Sequence, residues 1–141
     1  MTSGLSGTTE DTMLDHILGR TELVFDTTLF LALGTTAAPN RTSFSEVMVP
    51  GEGGYTRQAI EFDAAADGVA VNAAGTLTFG PCADTAWGTI RAFALWTDQT
   101  ATAVTNRVLQ GALTDQTKVV GIGDSVTVAA GAITVTVSPT A

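Results

Sequence analysis

Few side chains in this 141-residue sequence have the types and spacing that catalysis requires. The single histidine, His16, follows Asp15 directly, and successive residues of a helix point in different directions, so the pair cannot form a proton relay. The single cysteine, Cys82, allows neither an intrachain disulfide nor a cysteine-rich metal site. The sequence therefore predicts no catalytic residue and a protein that is not an enzyme.

Three further segments were considered as binding sites for small ligands. Residues 51–54 and 121–124 are glycine-rich, but neither has the Lys and Ser/Thr of a P-loop or the spacing of a dinucleotide fingerprint. Asp63 and Asp67 could share a calcium ion, yet no EF-hand pattern accompanies them. We interpret all three segments as turns and predict no cofactor and no metal ion.

Composition excludes several classes of partner. Charged residues make up 14% of the chain, and the formal net charge is −8, with six basic residues scattered singly. A nucleic-acid binder needs a basic stripe, so nucleic acid is not expected as a partner. No stretch approaches 18 uninterrupted apolar residues, so no membrane partner is expected either. A surface of Thr, Ser, Asn, Gln and Gly suits packing against neighbouring proteins.

The chain begins with residues 1–9, which are rich in Ser, Thr and Gly and predict a flexible or extended arm. A capping signal, Thr8 with Asp11 three residues later, then predicts a short helix that ends at Gly19. The apolar face of this helix would consist of Met13, Leu14, Ile17 and Leu18.

The remainder of the sequence has strand-like alternation interrupted by turn signals. Strands are predicted at residues 28–36, 55–62, 68–71, 76–79, 88–96, 108–113, 126–130 and 133–137. We expect residues 68–71 and 76–79 to form a hairpin, and the last two segments to pair around Gly131. The fold class is all-β: an antiparallel β-sandwich or barrel-like domain of about eight short strands with one short N-terminal helix, spanning residues 10–141.

The expected core includes several large side chains of these strands: Leu31, Leu33, Ile60, Phe62, Phe93, Leu95 and Val135. Trp87 and Trp96, with Phe93 and Tyr55, could form a sugar-binding platform, but core packing is the favoured interpretation.

An interaction surface is predicted around residues 37–54, a long segment with several Pro and Gly residues and an apolar patch. Loops of this length in compact domains tend to be functional. The possible interface residues are Arg41, Met48, Tyr55 and Arg57. In a chain so poor in charge, Arg57 is either an interface anchor or the partner of Glu61 or Asp63 in a local ion pair.

Six segments together resemble a family of small tailed-phage virion proteins: LDHILG from Leu14, LFLALGTT from Leu29, GGYTRQAIEF from Gly53, WGTIRAFALW from Trp87, LQGALT from Leu109 and GDSVTVAAGAITVTV from Gly123. The resemblance covers nearly the whole chain and implies a β-rich structural protein of the virion, described either as head decoration or as a tail or fibre component. It brings no catalytic residues. The segment FSEVMV departs from the Gly and Asp that members more often have there.

From the resemblance we expect a capsid decoration (cement) protein on the outer head surface, made in the host cytoplasm, that bridges capsomers. Its partner would be the major capsid protein, and trimers would match the threefold positions of an icosahedral shell. The alternative is a tail or tail-fibre component that contacts the host surface or other tail proteins. A small glycan-binding module or hydrolase is a third hypothesis, from a different class.

Overall fold

A computed structural model describes residues 3–20, 28–73 and 75–136 of the chain. It contains eleven strands, one α-helix and a short 3-10 turn at Val104–Asn106. In chain order the elements are β1 (Ser3–Leu5), α1 (Gly7–Ile17), β2 (Leu29–Gly34), β3 (Gln58–Ile60), β4 (Val69–Val71), β5 (Leu77–Phe79), β6 (Gly88–Thr89), β7 (Ala92–Trp96), β8 (Arg107–Ala112), β9 (Val119–Val120), β10 (Val126–Val128) and β11 (Thr134–Thr136). The predicted all-β class is confirmed, and the strands described form open antiparallel sheets rather than a closed barrel.

The largest sheet has five antiparallel strands in the order β1-β8-β7-β2-β3. Its centre is the β2–β7 pair, in which Leu31 lies opposite Leu95 and Ala32 opposite Ala94. Alternate residues of a strand point to opposite faces, so Leu31 and Leu95 belong to one packed layer and the two alanines to another. Both faces of the sheet centre are therefore buried, as the nearly continuous apolar run of β2 predicts.

A second layer is a long antiparallel ribbon in which β4 pairs with β11 and β5 pairs with β10. The two ladders share one register. Val71 pairs with Thr134 and Leu77 pairs with Val128, and the number of residues from Val71 to Leu77 equals the number from Val128 to Thr134. Asn72 bridges the interruption between them. Its backbone N–H donates to the carbonyl of Ile133, and its side-chain amide donates to the carbonyl of Ala129. Its backbone carbonyl accepts from the N–H of Gly131, and its side-chain oxygen accepts from the N–H of Ile133.

This ribbon corrects the predicted pairing of the four short strands. Residues 68–71 and 76–79 do not form a hairpin, and neither do 126–130 and 133–137; the members of each pair follow one another along one side of the ribbon. The physical reason is that Asn72 faces Ile133 and Ala129 across the ribbon and supplies the hydrogen bonds that the interrupted ladder lacks. Val137, the last residue of the predicted final strand, lies outside the described residues.

The core lies between the five-stranded sheet and the ribbon; Val120 of the small β6–β9 pair and Trp87, the residue before β6, contribute to it. Of the predicted core, Leu31, Leu33, Ile60, Phe93 and Leu95 are buried, which confirms that part of the prediction. Phe62 and Val135 are only partly buried and pack at the margin of the same cluster. The aromatic set of Tyr55, Trp87, Phe93 and Trp96 is buried as well, so core packing is the correct interpretation of it.

The N-terminal residues depart from the predicted arm. Ser3–Leu5 pair with β8 as an edge strand, and the helix begins at Gly7 with Ser6 as N-cap, whose hydroxyl accepts from the N–H of Thr9. Residues 3–9 therefore belong to the folded domain, because strand pairing and capping satisfy their backbone groups. Residues 1 and 2 of the predicted arm lie outside the described residues. Gly19 follows the helix at a φ of 73°, as a C-terminal stop requires.

Candidate interaction groove

Residues 37–54 fold back along the end of β2 and cover the alanine face of the sheet. Backbone bonds run from the N–H of Thr35 to the carbonyl of Ser45 and from the N–H of Val47 to the carbonyl of Leu33. A β-carbon on Gly34 would lie 2.5 Å from Cε2 of Phe44 and 2.9 Å from the carbonyl oxygen of Ser45. Only glycine allows this close approach, so Gly34 sets the position of the segment over the sheet.

Beneath this segment the guanidinium of Arg57 is completely buried. Nε and Nη2 donate to the two carboxylate oxygens of Glu46, each at 2.8 Å, in a bidentate pair. Nη1 donates at 2.8 Å to the carbonyls of both Asp98 and Ala101. Cζ lies 3.9 Å from the ring centroid of Trp96, so cation–π attraction adds to the hydrogen bonds. Arg57 thus ties the 37–54 segment to the turn after β7.

Tyr55 is the second buried polar side chain of this cluster. Its hydroxyl donates to Oε1 of Glu46 at 2.6 Å and accepts from the N–H of Leu33 at 3.0 Å. Burial, reinforced by the nearby Glu46 carboxylate, raises the pKa of the phenol, which stays protonated. Its ring stacks on Phe79 and meets Trp87 edge to face, so the hydroxyl is held in place by the core. Glu46 is therefore fixed from two sides.

Above this cluster lies a surface depression of about 450 Å³, which we call the loop groove. Its lining consists of Phe44, Glu46, Met48, Val49, Pro50, Trp96 and Thr102. The lining is mostly apolar, with one carboxylate and one hydroxyl that could orient a partner by hydrogen bonds. Val49 is 53% exposed, so the groove has an apolar rim that a partner could cover. The Nε1 donor of Trp96 is buried and has no hydrogen-bond partner among the residues that the structure describes.

The four predicted interface residues are distributed unevenly around this groove. Met48 lines it. Tyr55 and Arg57 lie beneath it and are buried, where they support the groove. The assignment of these residues to an interface stays a prediction. The predicted ion pair of Arg57 with Glu61 or Asp63 is also corrected, since Glu46 takes that place.

Arg41 does not belong to the loop groove. Its Nη2 forms an ion pair of 3.2 Å with Glu10 of α1, and its backbone carbonyl accepts a hydrogen bond from Nη2 of Arg107. Arg107 is itself buried, and desolvation lowers its pKa. These contacts attach the helix and β8 to the 37–54 segment.

Sequence reasoning missed two contributors to the groove. Glu46 was overlooked because a single carboxylate in an apolar segment has no local signature; its position eleven residues before Arg57 was the available signal. The turn at 98–101 was also missed. There the Asp98 carboxylate accepts from the N–H groups of Thr100 and Ala101, and these bonds lower its pKa. This turn presents the carbonyls that bind Arg57.

The other residues considered for chemistry form no reactive cluster in the parts of the chain that the structure describes. Cys82 is buried, and its thiol lies 3.2 Å from the carbonyl oxygen of Thr85 as a weak donor. Within residues 3–20, 28–73 and 75–136, no group of three or more His, Cys, Asp or Glu side chains could hold a metal ion. In the same ranges no helix is long and apolar enough to cross a membrane.

Comparison with known proteins gives one family. The family model described as podophage GP4 fiber I protein gp80 matches residues 4–136, from β1 to the last residue of β11. No curated protein matches the sequence. The match extends over almost the whole of the described fold and confirms the resemblance to phage virion proteins. The chain therefore belongs to the Gp80 family of podophage GP4 fiber I proteins.

Proposed function

We propose that this protein is a non-enzymatic structural component of a podophage fibre. The observation that carries the proposal is the family match over residues 4–136, because the family is described by a fibre protein. The match covers the sheet, the ribbon and the 37–54 segment together, so it concerns the whole fold and not a short motif.

The family description favours the tail-fibre alternative over the capsid decoration protein that we first expected. Both interpretations place the protein in the virion, and both need a stable β-rich subunit with surfaces for neighbouring proteins. They differ in the partner: the major capsid protein for decoration, and other fibre or tail proteins for the present proposal. The homotrimer, expected from the threefold positions of a capsid, remains a prediction.

The loop groove supports a binding role for this subunit. The bidentate ion pair with Arg57 and the Tyr55 hydroxyl hold Glu46 beside the groove, and two backbone carbonyls hold Arg57 in turn, so little side-chain freedom would be lost when a partner binds. The apolar lining would supply contact area, and Glu46 and Thr102 would supply direction. We propose that a neighbouring fibre or tail protein packs here.

The experiment is to locate the protein in purified virions. Immunogold labelling with an antibody against the folded domain, with separated heads and tails analysed by mass spectrometry, should find the protein in tail or fibre material. Label distributed over the head would favour decoration and contradict the proposal. Absence from purified virions would contradict both interpretations.

The loop groove can be tested in the same particles. Met48→Glu places a charge in the apolar lining and should reduce incorporation of the protein into fibres. Ile122→Glu, at an exposed residue outside the groove lining, is the surface control and should leave incorporation unchanged. Because Met48 also packs against the core, both variants are first compared with the wild type by circular dichroism. Equal incorporation of both variants would exclude the loop groove as the contact.

A further inference from the structure

The indole N–H of Trp96 has no acceptor within the part of the chain that the structure describes. Trp96 is 4% exposed, and its Nε1 is shielded from solvent. A buried N–H without an acceptor has lost the hydrogen bond that water gives it in the unfolded chain, so such groups are rare. Trp87, the other tryptophan, shows the usual arrangement, because its Nε1 donates to the carbonyl of Gly53 at 3.0 Å.

The polar groups beside the Trp96 ring are already engaged by Arg57. The guanidinium lies over the ring, with Cζ 3.9 Å from the ring centroid. It donates to both carboxylate oxygens of Glu46 and to the carbonyls of Asp98 and Ala101. The other side chains packed around the ring are apolar: Phe30, Ala32, Phe44 and Ala94. Trp96 also lines the loop groove, so the groove is the side from which an acceptor for Nε1 can enter.

Two further polar groups of the loop groove are able to bind a partner. Oε1 of Glu46 accepts from Tyr55 and Arg57, whereas Oε2 accepts from Arg57 alone among the described residues. A carboxylate oxygen can accept two hydrogen bonds, so Oε2 has room for one more. Thr102 is exposed, and its hydroxyl can donate or accept. Because Arg57 neutralises the carboxylate, the groove favours an uncharged partner that both accepts and donates hydrogen bonds.

The main chain of a protein has these properties, since each carbonyl accepts and each N–H donates. A volume of about 450 Å³ lies within the range of sites that hold a small ligand, and the apolar lining provides contacts for a side chain. A carbohydrate fits less well. Its many hydroxyls would need more partners than this lining offers, and the Trp96 ring is buried with Arg57 on one face rather than open for stacking.

We propose that the loop groove binds an extended segment of a neighbouring fibre or tail protein by its main chain and one apolar side chain. A carbonyl of the segment accepts from Nε1 of Trp96, and an N–H of the segment donates to Oε2 of Glu46. The apolar side chain packs against Met48 and Val49. This inference rests on the proposed function, in which such a protein packs in the groove, and names the chemistry that the partner presents.

Binding of this kind requires a small rearrangement of the groove. Since Nε1 is shielded in the free protein, a lining side chain has to move before an acceptor reaches it. Met48 is suited to this movement, because an unbranched side chain with three rotatable bonds adapts readily to a new neighbour.

The test is two-dimensional ¹H–¹⁵N NMR of the purified full-length protein, in which the two tryptophans give two indole N–H signals. The probe is N-acetyl-leucine N-methylamide, which has main-chain amides and one apolar side chain. The Trp96 signal should move downfield and saturate, with a dissociation constant of about 1 mM, because its N–H gains an acceptor. The Trp87 signal is the internal control and should stay in place, since its N–H is already bonded.

Substitutions test the donor and the lining separately. Trp96→Phe keeps a ring beneath the guanidinium and removes the donor, so the probe should bind about three- to tenfold more weakly, as judged from the backbone amide signal of Thr102. Circular dichroism first establishes that this variant is folded. Val49→Ser changes an exposed residue and should weaken binding about two- to fivefold by loss of apolar contact. Ile122→Ser, at an exposed residue outside the lining, is the control and should bind as the wild type does.

Three results would overturn the proposal. A Trp96 signal that stays in place at the highest soluble concentration of the probe excludes an acceptor at Nε1. Equal binding of the probe by the wild type and by Trp96→Phe excludes a role for the donor. A Trp96 signal that responds to N-acetylglucosamine and not to the peptide probe indicates a carbohydrate site instead.

These results are distinguishable from failure of the proposed function. If Met48→Glu abolishes incorporation into fibres while the Trp96 signal ignores the probe, the groove is the contact and only the recognition chemistry is wrong. If the antibody labels the head, the proposed function fails whatever the NMR experiment shows.

Discussion

Replacing Arg57 with Ala should be among the most destabilising single changes in this protein. The substitution removes four hydrogen bonds of 2.8 Å and the cation–π contact with Trp96. It also leaves the Glu46 carboxylate, whose side chain is 13% exposed, with the Tyr55 hydroxyl as its remaining partner. Removing one partner of a buried ion pair costs about 3–5 kcal/mol, because the other charge stays buried without compensation. A domain is stable by only about 5–15 kcal/mol in total.

Urea denaturation followed by circular dichroism measures this loss. We expect a free energy of unfolding lower by about 3–5 kcal/mol with an unchanged m-value, and a melting temperature lower by roughly 10 °C or more. Arg91→Ala is the matched control; its side chain is exposed, and the change should stay within about 0.5 kcal/mol.

A double substitution separates the ion pair from the loss of packing. When Arg57→Ala and Glu46→Ala are combined, the free energy lost should be smaller than the sum of the single losses by about 0.5–3 kcal/mol, since the second change removes the stranded charge. Strict additivity, or a loss below about 1 kcal/mol for Arg57→Ala alone, would refute the idea that this pair holds the loop groove together.

Three further substitutions test the same region. Tyr55→Phe removes the hydroxyl that joins Glu46 to β2 and should cost about 1–3 kcal/mol in a denaturant titration, because a buried N–H loses its acceptor. Gly34→Ala forces a methyl group against the ring of Phe44 and should cost about 1–3 kcal/mol, with altered near-UV circular dichroism. The pKa of Asp98 is lower in the folded than in the unfolded protein, where it is about 4. Its contribution to stability is therefore present above the unfolded pKa and is lost as the pH falls through the folded pKa. Asp98→Asn should flatten the acid limb of a stability-versus-pH curve.

Two control substitutions test whether these effects are specific to the positions named rather than a general response of the protein to mutation. Gly4→Ala has its nearest neighbour 3.8 Å from the new methyl group and should be tolerated, in contrast to Gly34→Ala. Asp115 also accepts hydrogen bonds from its own turn that lower its pKa, but it does not contact Arg57. Asp115→Asn should therefore leave the effect of Met48→Glu on incorporation unchanged. An acid limb that is identical in wild type and Asp98→Asn would contradict the role assigned to that carboxylate.

Local pattern was sufficient for the class of fold and for much of its core. The alternation of Leu31 and Leu33 with smaller residues predicts a strand, and the structure buries both leucines at the centre of the large sheet. The 37–54 segment could also be singled out, because its Pro and Gly residues and its length predict a functional loop, and five of its residues line the loop groove together with Trp96 and Thr102. These features depend on residues that are close in sequence.

Pairing between distant strands could not be predicted in the same way. The connection at residues 72–75 has the length of a hairpin turn, and sequence alone therefore indicates a hairpin. The structure pairs each flanking strand with a distant one instead, and Asn72 forms hydrogen bonds with Ile133 and Ala129 across the ribbon. The same holds for the N-terminal strand, whose partner β8 lies about a hundred residues away.

For the site, the sequence determined which residues carry charge and where the long Pro- and Gly-containing segment lies, and the tertiary structure determined their roles. An arginine in a charge-poor chain can be an exposed anchor or a buried support, and both have the same sequence signature. Arg57 is a support because β7 and the turn after it bring Trp96 and the carbonyls of Asp98 and Ala101 to its guanidinium. Burial of a charge is stable only where several partners converge, and that convergence exists only in three dimensions.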